Sequence, residues 1–130
     1  MSLKITLKND ERLIIGGAVV RNGGKGAILY IENIIPILRE KDIMGEKDAN
    51  TPCKRIYFTI QLMYIDEANI PKYRSAYSEM AGEILRAAPS TAVFFEQISE
   101  CFQVDKYYQA LKTARNLIEY ETNLLGVCRS

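Results

Sequence analysis

The chain has 130 residues, 48% of them apolar and 25% charged, and a net charge of +1. This composition suits a soluble globular protein, either one compact domain or a small domain with an extension sharing its core. No apolar run reaches the roughly 18 residues a membrane span needs, and no basic segment followed by an apolar one opens the chain, so a cytoplasmic protein without a signal peptide is expected. Histidine is absent, which removes the commonest general base, every Ser-His or Cys-His nucleophile pair and every histidine-containing zinc site.

Charge and cysteine placement narrow the classes further. Residues 1–41 hold seven basic side chains (Lys4, Lys8, Arg12, Arg21, Lys25, Arg39, Lys41) against four acids, while the remainder holds ten basic and twelve acidic ones. The excess in the first third fits an anionic partner, and a solvated surface fits it equally. Cys53, Cys101 and Cys128 are odd in number and far apart, so they read as small hydrophobes rather than as a disulfide framework or a metal site. Neither a Walker loop nor a dinucleotide fingerprint is present. An enzyme is therefore the least supported reading, and neither a cofactor nor a metal is expected.

In chain order, Leu3, Ile5 and Leu7 alternate with Lys4, Thr6 and Lys8, the period-two pattern of a strand with one buried face. Asn9-Asp10 is a turn; "RLII" is a second strand broken by Gly16-Gly17, and "AVVR" a third. Asn22-Gly23-Gly24 is expected to make a tight hairpin into a fourth strand, "AILYIE". In "IIPILR", Pro36 cannot donate to a ladder, so this fifth strand belongs at an edge or carries a bulge. So small an antiparallel sheet is marginal alone and should pair with another copy or lean on the later part of the chain.

The rest reads as helical. Thr51-Pro52 resembles an N-cap with proline at the first helical position, before "CKRIYFTIQLMYID". Ile56, Phe58, Ile60 and Leu62 also alternate as a strand would, so residues 53–65 admit both readings; helix is favoured by length and start signal. From Pro71, Tyr73, Tyr77, Met80, Ala81, Ile84 and Leu85 share a helical face, and Pro89 ends the run. Ser90 or Thr91 is expected to cap a shorter helix with Phe94, Ile98, Cys101 and Phe102 as its stripe. Asp105 should start a last helix with Tyr107, Leu111, Ala114, Ile118 and Leu125 inward, closing at Gly126. The expected fold is α+β: a five-stranded antiparallel β region over residues 1–48, then three or four helices over residues 49–130.

Two resemblances attach to these residues. The order "LKITLK", "NDE", "RLIIGG", "AVVRN" with "GAILYIE", and "IIPILREKDI" is similar to the carbon storage regulator (CsrA) family. Over nearly the whole chain, "GGAVVRNGG", "LREKDIM", "TPCKRIYFTIQLMYID" and "YYQALKTARNLIEYE" resemble the flagellum biosynthesis repressor FlbT family. The FlbT resemblance implies a post-transcriptional regulator of flagellin acting on the 5′ untranslated leader of its mRNA, with flagellin or a FlaF-type regulator as possible protein partners. The CsrA resemblance implies a homodimer in which the first strand of one protomer lies beside the last strand of the other, the paired edges holding a single-stranded RNA loop. Carried over by position, Ile5 and Thr6 correspond to the RNA-facing first strand and Arg39 to the arginine ending the last one. The pattern departs at Leu7, where the family places a basic residue, at Asp10, which replaces a turn glycine, and in the longer ending "REKDI".

The candidate RNA-binding set is Lys4, Ile5, Thr6, Lys8, Arg39 and Lys41. Arg39 offers a planar fork for phosphate or a base edge; its structural alternative is an ion pair with Glu40 or Asp42. Lys4, Lys8 and Lys41 can neutralise phosphates, or simply guard a strand edge against aggregation. "NGGKG" lacks Walker spacing and reads as a hairpin turn. The tyrosines Tyr57, Tyr64, Tyr73, Tyr77, Tyr107 and Tyr108 sit at helical spacing and read as packing or a protein-binding groove rather than base stacking.

Overall fold

The structure is a computed structural model that describes residues 2–129, with side chains described for residues 2–125. The architecture is α+β, strands first and helices after, as expected. Two compact units divide the chain, Met1–Ile43 and Met44–Ser130.

The first unit holds β1 (Leu3–Leu7), β2 (Arg12–Ile15), β3 (Ala18–Arg21), β4 (Ala27–Ile31) and β5 (Ile37–Arg39). They form two antiparallel ladders rather than one continuous sheet: β1 with β4, and β3-β2-β5. Period-two alternation fills the space they share, with Ile5, Leu7 and Leu13 buried and Ile15, Leu29, Ile31 and Ile37 packed against them. Strand β5 begins immediately after Pro36 and occupies an edge of its ladder, as a residue without an N–H requires. The Pro36 carbonyl still accepts the Gly16 N–H at 2.8 Å.

The turns are distributed otherwise than expected. Gly16 and Gly17 have φ of +55° and +93° and join Ile15 directly to its partner Ala18, which is a two-residue hairpin of the kind that needs positive φ at both positions. Asn22-Gly23-Gly24 makes no hairpin, because β4 pairs with β1 instead of β3. The segment is a crossover between ladders, and Gly23 and Gly24 do not adopt positive φ.

The second unit contains α1 (Pro52–Ile65), α2 (Ile70–Ala87), α3 (Ala92–Gln103) and α4 (Tyr107–Arg129). The ambiguous segment is helix: Thr51 caps it by accepting the Lys54 N–H at 3.2 Å, and its buried apolar residues Cys53, Ile56, Tyr57, Ile60 and Met63 recur every three or four positions. On α2, Tyr77, Ala81 and Ile84 are buried, with Tyr73, Met80 and Leu85 half-buried beside them. The α3 stripe is Phe95, Ile98 and Phe102; Phe94 and Cys101 flank it, half-buried. Thr91 does not cap α3, because its hydroxyl turns back to donate to the Ala88 carbonyl at 2.7 Å. Asp105 takes a left-handed φ of 55° ahead of α4 rather than starting it.

Ala110, Leu111, Ala114 and Leu117 form the buried face of α4, whereas Leu125 is 48% exposed. The helix runs past Gly126 to Arg129, since glycine stops a helix only where the chain takes a left-handed turn. The expectation for the Cys128 side chain lies outside the described residues. Cys53 is buried as expected and Cys101 is half-buried.

One carboxylate fastens α4 to the start of α1. Glu121 accepts from the Thr51 hydroxyl at 2.6 Å and from the Cys53 backbone N–H at 3.1 Å, satisfying a donor that the first helical turn leaves open and placing negative charge at the positive end of the dipole. Burial, together with the nearby Glu121 charge, pushes the Cys53 thiol up to about 12, so it stays protonated and unreactive at neutral pH. The folded state then binds more protons than the unfolded state above pH 9.0, and stability falls as pH rises beyond that point. Glu121→Ala should lower stability to urea by about 1–3 kcal/mol by orphaning these donors and should speed alkylation of Cys53 by iodoacetamide at pH 8; an unchanged midpoint and labelling rate would show that Glu121 is dispensable.

Candidate nucleic-acid interface

The outer face of the β1–β4 ladder brings two of the expected residues together. Lys4 lies directly across from Tyr30, and Thr6 across from Ile28; Lys4 and Thr6 are exposed, and Tyr30 and Ile28 are 61% and 54% exposed. Lys8 continues the same alternation at the end of β1. Ile5, of the opposite parity, is 2% exposed within the core and offers a ligand only its backbone.

Asn22 organises the end of this ladder. Its Nδ2 donates to the carbonyls of Lys8 at 3.1 Å and Lys25 at 2.8 Å, with a longer contact to Leu7 at 3.4 Å. Its Oδ1 accepts from the Gly24 N–H at 3.2 Å, the side-chain turn that asparagine makes readily. Its own backbone pairs with Glu11 and Asp10. The crossover loop is thereby tied to the end of β1, and Lys8 and Lys25 are held to one amide.

Arg39 stands elsewhere, as a tie between β5 and β1. Its Nη2 donates to the Thr6 carbonyl at 2.8 Å and lies 3.7 Å from Glu11 Oε2, while the other Glu11 oxygen accepts the Lys8 N–H at 2.8 Å. The expected Glu40 pairing belongs to Arg12 instead, at 3.5 Å. Asp10 holds φ at 63°, taking the role of the turn glycine it replaces, and accepts Arg21 at 3.0 Å. Lys41 lies past β5 on the Glu40–Asp42 turn, exposed.

The two basic residue types divide accordingly. Arg12, Arg21 and Arg39 are each bound to an acid, whereas Lys4, Lys8, Lys25 and Lys41 have no ion-pair partner among the described residues. Among the described residues, the free cationic charge of this unit is therefore carried by lysine. Sequence reasoning missed Tyr30, the sole aromatic residue in positions 1–43. "AILYI" is apolar throughout, so alternation could not tell which residues face out; the register with "LKITL" does.

The helical tyrosines are engaged in packing, as expected. Tyr77 is buried against Phe95 and Phe102, Tyr73 donates to Asp66 at 2.6 Å, and Tyr64 packs against Tyr108 with its ring tilted by 46° and the ring centroids 5.8 Å apart.

Comparison with known proteins places the whole chain. The family model for flagellar protein FlbT matches residues 3–125. A probable flagellum biosynthesis repressor protein FlbT of Caulobacter sp. strain K31 is 38% identical over 97% of this chain and 98% of its own length. The flagellum biosynthesis repressor protein FlbT of Caulobacter vibrioides is 37% identical over 97% of this chain and 91% of its own length. A probable repressor of the same name from Rhodopseudomonas palustris is 39% identical over 97% and 99% respectively. No solved structure shows significant similarity.

The Arg39 tie should contribute measurably to stability. Arg39→Ala frees the Thr6 carbonyl and leaves Glu11 without its guanidinium; because the pair is partly exposed, a loss of about 1 kcal/mol is expected. Equilibrium denaturation would read this as a lower midpoint, and an unaltered midpoint would mean that β5 and β1 are held by packing alone.

Proposed function

Because the chain belongs to the FlbT family of flagellar proteins, we propose that it is a non-enzymatic regulator of flagellum biosynthesis that acts after transcription. In this reading it is a cytoplasmic homodimer that binds the 5′ untranslated leader of flagellin mRNA and alters its translation or lifetime. The family is a regulatory one, and relatives that align along almost their whole length carry the name of repressor. The observation that carries the RNA-binding reading is the set of unpaired lysines on the strand unit, since cations without internal partners are what a polyanion recruits. Dimerisation is supported by β3, an edge strand whose four residues are all exposed, with Val19 and Val20 at 67% and 37%, a surface that a second copy would cover. Residues 1–48 are assigned to RNA and self-association, residues 49–130 to protein partners.

Filter binding of the leader across a salt series tests the RNA reading. The combined variant Lys4→Gln, Lys8→Gln, Lys41→Gln should weaken binding and lower the slope of log affinity against log salt by about 2, roughly 0.7 for each phosphate no longer neutralised. Affinity for the leader no better than for a scrambled RNA of equal length would refute it.

A second reading has its own observation. In the helical unit a groove of about 440 Å³ is lined by Pro52, Cys53, Met80, Ile84, Leu124 and Leu125, with Glu83 also on its wall. An apolar trough between helices suits the apolar stripe of a partner helix, and flagellin or a FlaF-type regulator is the candidate. Leu124 and Leu125 are 38% and 48% exposed, so changing both to Asp should leave the fold intact and abolish co-purification of such a partner while sparing RNA affinity. Retained co-purification would exclude the groove.

A further inference from the structure

We infer that the outer face of the β1–β4 ladder is a stacking platform for unpaired RNA, with Tyr30 stacking a base, Lys4 neutralising the phosphate beside it, and Lys8 and Lys25 neutralising phosphates further along the strand. This rests on the RNA-binding reading and changes how that binding occurs: a sheet face reads the RNA, while Arg39 is a structural tie.

Three observations carry it. The unit's one aromatic side chain is 61% exposed on a strand, at the next-to-last residue of β4, where a tyrosine ordinarily gains by turning its ring inward. Its inward neighbours Leu29 and Ile31 already supply this strand's contribution to the core, so the ring is left presenting a flat π surface to solvent. Directly across lies Lys4, and the face continues through Thr6 and Ile28 to Lys8, about 13 Å further along β1 at the usual strand rise. There the Asn22 amide binds the backbone carbonyls of both Lys8 and Lys25, so two exposed lysines stand at one end of the ladder and Lys4 at the other.

An exposed aromatic ring beside one cation, with further cations along the same face, is what sequence-tolerant recognition of single strands requires, because every base has a π face and every nucleotide a phosphate. A second copy of the chain is the competing occupant. Lysine is depleted at the core of protein interfaces, and here the lysine at the centre of the ring's surroundings has no acid to meet; the valines of β3 offer a cleaner surface for self-association. A duplex gives this ring nothing to stack on, since its bases are already stacked on one another.

The experiment titrates full-length protein with a fluorescein-labelled unstructured RNA of about 12 nucleotides, within the range such surfaces cover, and with the same sequence annealed to its complement. Tyr30→Ala should weaken single-strand binding roughly tenfold while Tyr30→Phe, which keeps the ring, should stay within about twofold of the parent; Lys4→Gln should lower the salt slope by about 0.7. The duplex should bind no better to the parent than to Tyr30→Ala. If the parent binds the single strand and Tyr30→Ala binds it equally, the platform is wrong and the RNA reading survives. If the parent binds no single strand at all, both fall. A shift of Tyr30→Ala from dimer to monomer in sedimentation, with RNA affinity unchanged, assigns the face to a second copy and overturns the inference.

Discussion

The strand unit depends on one side-chain amide. After the Gly16-Gly17 hairpin the chain has finished β3 and must choose its next neighbour; pairing β4 beside β3 would be the shorter course. Asn22 diverts it. By donating to carbonyls at the end of β1 and in its own loop, and accepting from Gly24, it folds residues 22–25 back against the first strand, so that β4 emerges alongside β1. Two ladders then enclose Ile5, Leu7 and Leu13, and the exposed Lys4–Tyr30 pairing exists only because of that choice. Asn22 is half-buried and engages its oxygen and its amide hydrogens at once.

Much of this is legible in the sequence, and the exceptions have physical reasons. Strand positions follow from alternation, and Pro36 marks an edge through its missing N–H. The hairpin does not follow, because Asn-Gly-Gly and Gly-Gly are both competent turn sequences. Local propensity cannot say which of two turns closes a hairpin when the deciding bonds come from Leu7 and Lys8, fourteen and more residues away. In the helices, periodicity identifies the inward face correctly for Tyr77, Ala81, Ile84 and Ala114, but it passes over Phe95 and Leu117 for their flanking neighbours. A stripe one position to either side satisfies the same periodicity, and only packing decides the phase. Arg39 shows the limit for site residues: its spacing from Glu40 suggests a local pair, yet its carboxylate is Glu11, across the fold.

The helical unit is tied by a comparable device at longer range. Glu121 reaches from the second half of α4 to the first turn of α1, and Gln61 reaches back to both the N–H and the carbonyl of Met44 at 2.8 and 2.9 Å, pinning the segment that leads into the helices. Each unit thus uses a polar side chain to fix a connection that apolar packing alone would leave free to slide. The division of chemistry is equally plain: uncommitted cations in the strands, an apolar trough in the helices.

The bare margin of β3 carries a liability of its own. A row of unsatisfied peptide groups flanked by valine is a template for any extended polypeptide emerging nearby, and nascent chains of the same kind are the nearest at hand during synthesis. Arg21, bound to Asp10 at the strand's last residue, sets a bulky charged guard at one end, in the manner of the gatekeepers that flank unavoidable β segments. The opposite end, at Gly17 and Ala18, has no such sentinel, so misassembly would begin from the hairpin tip.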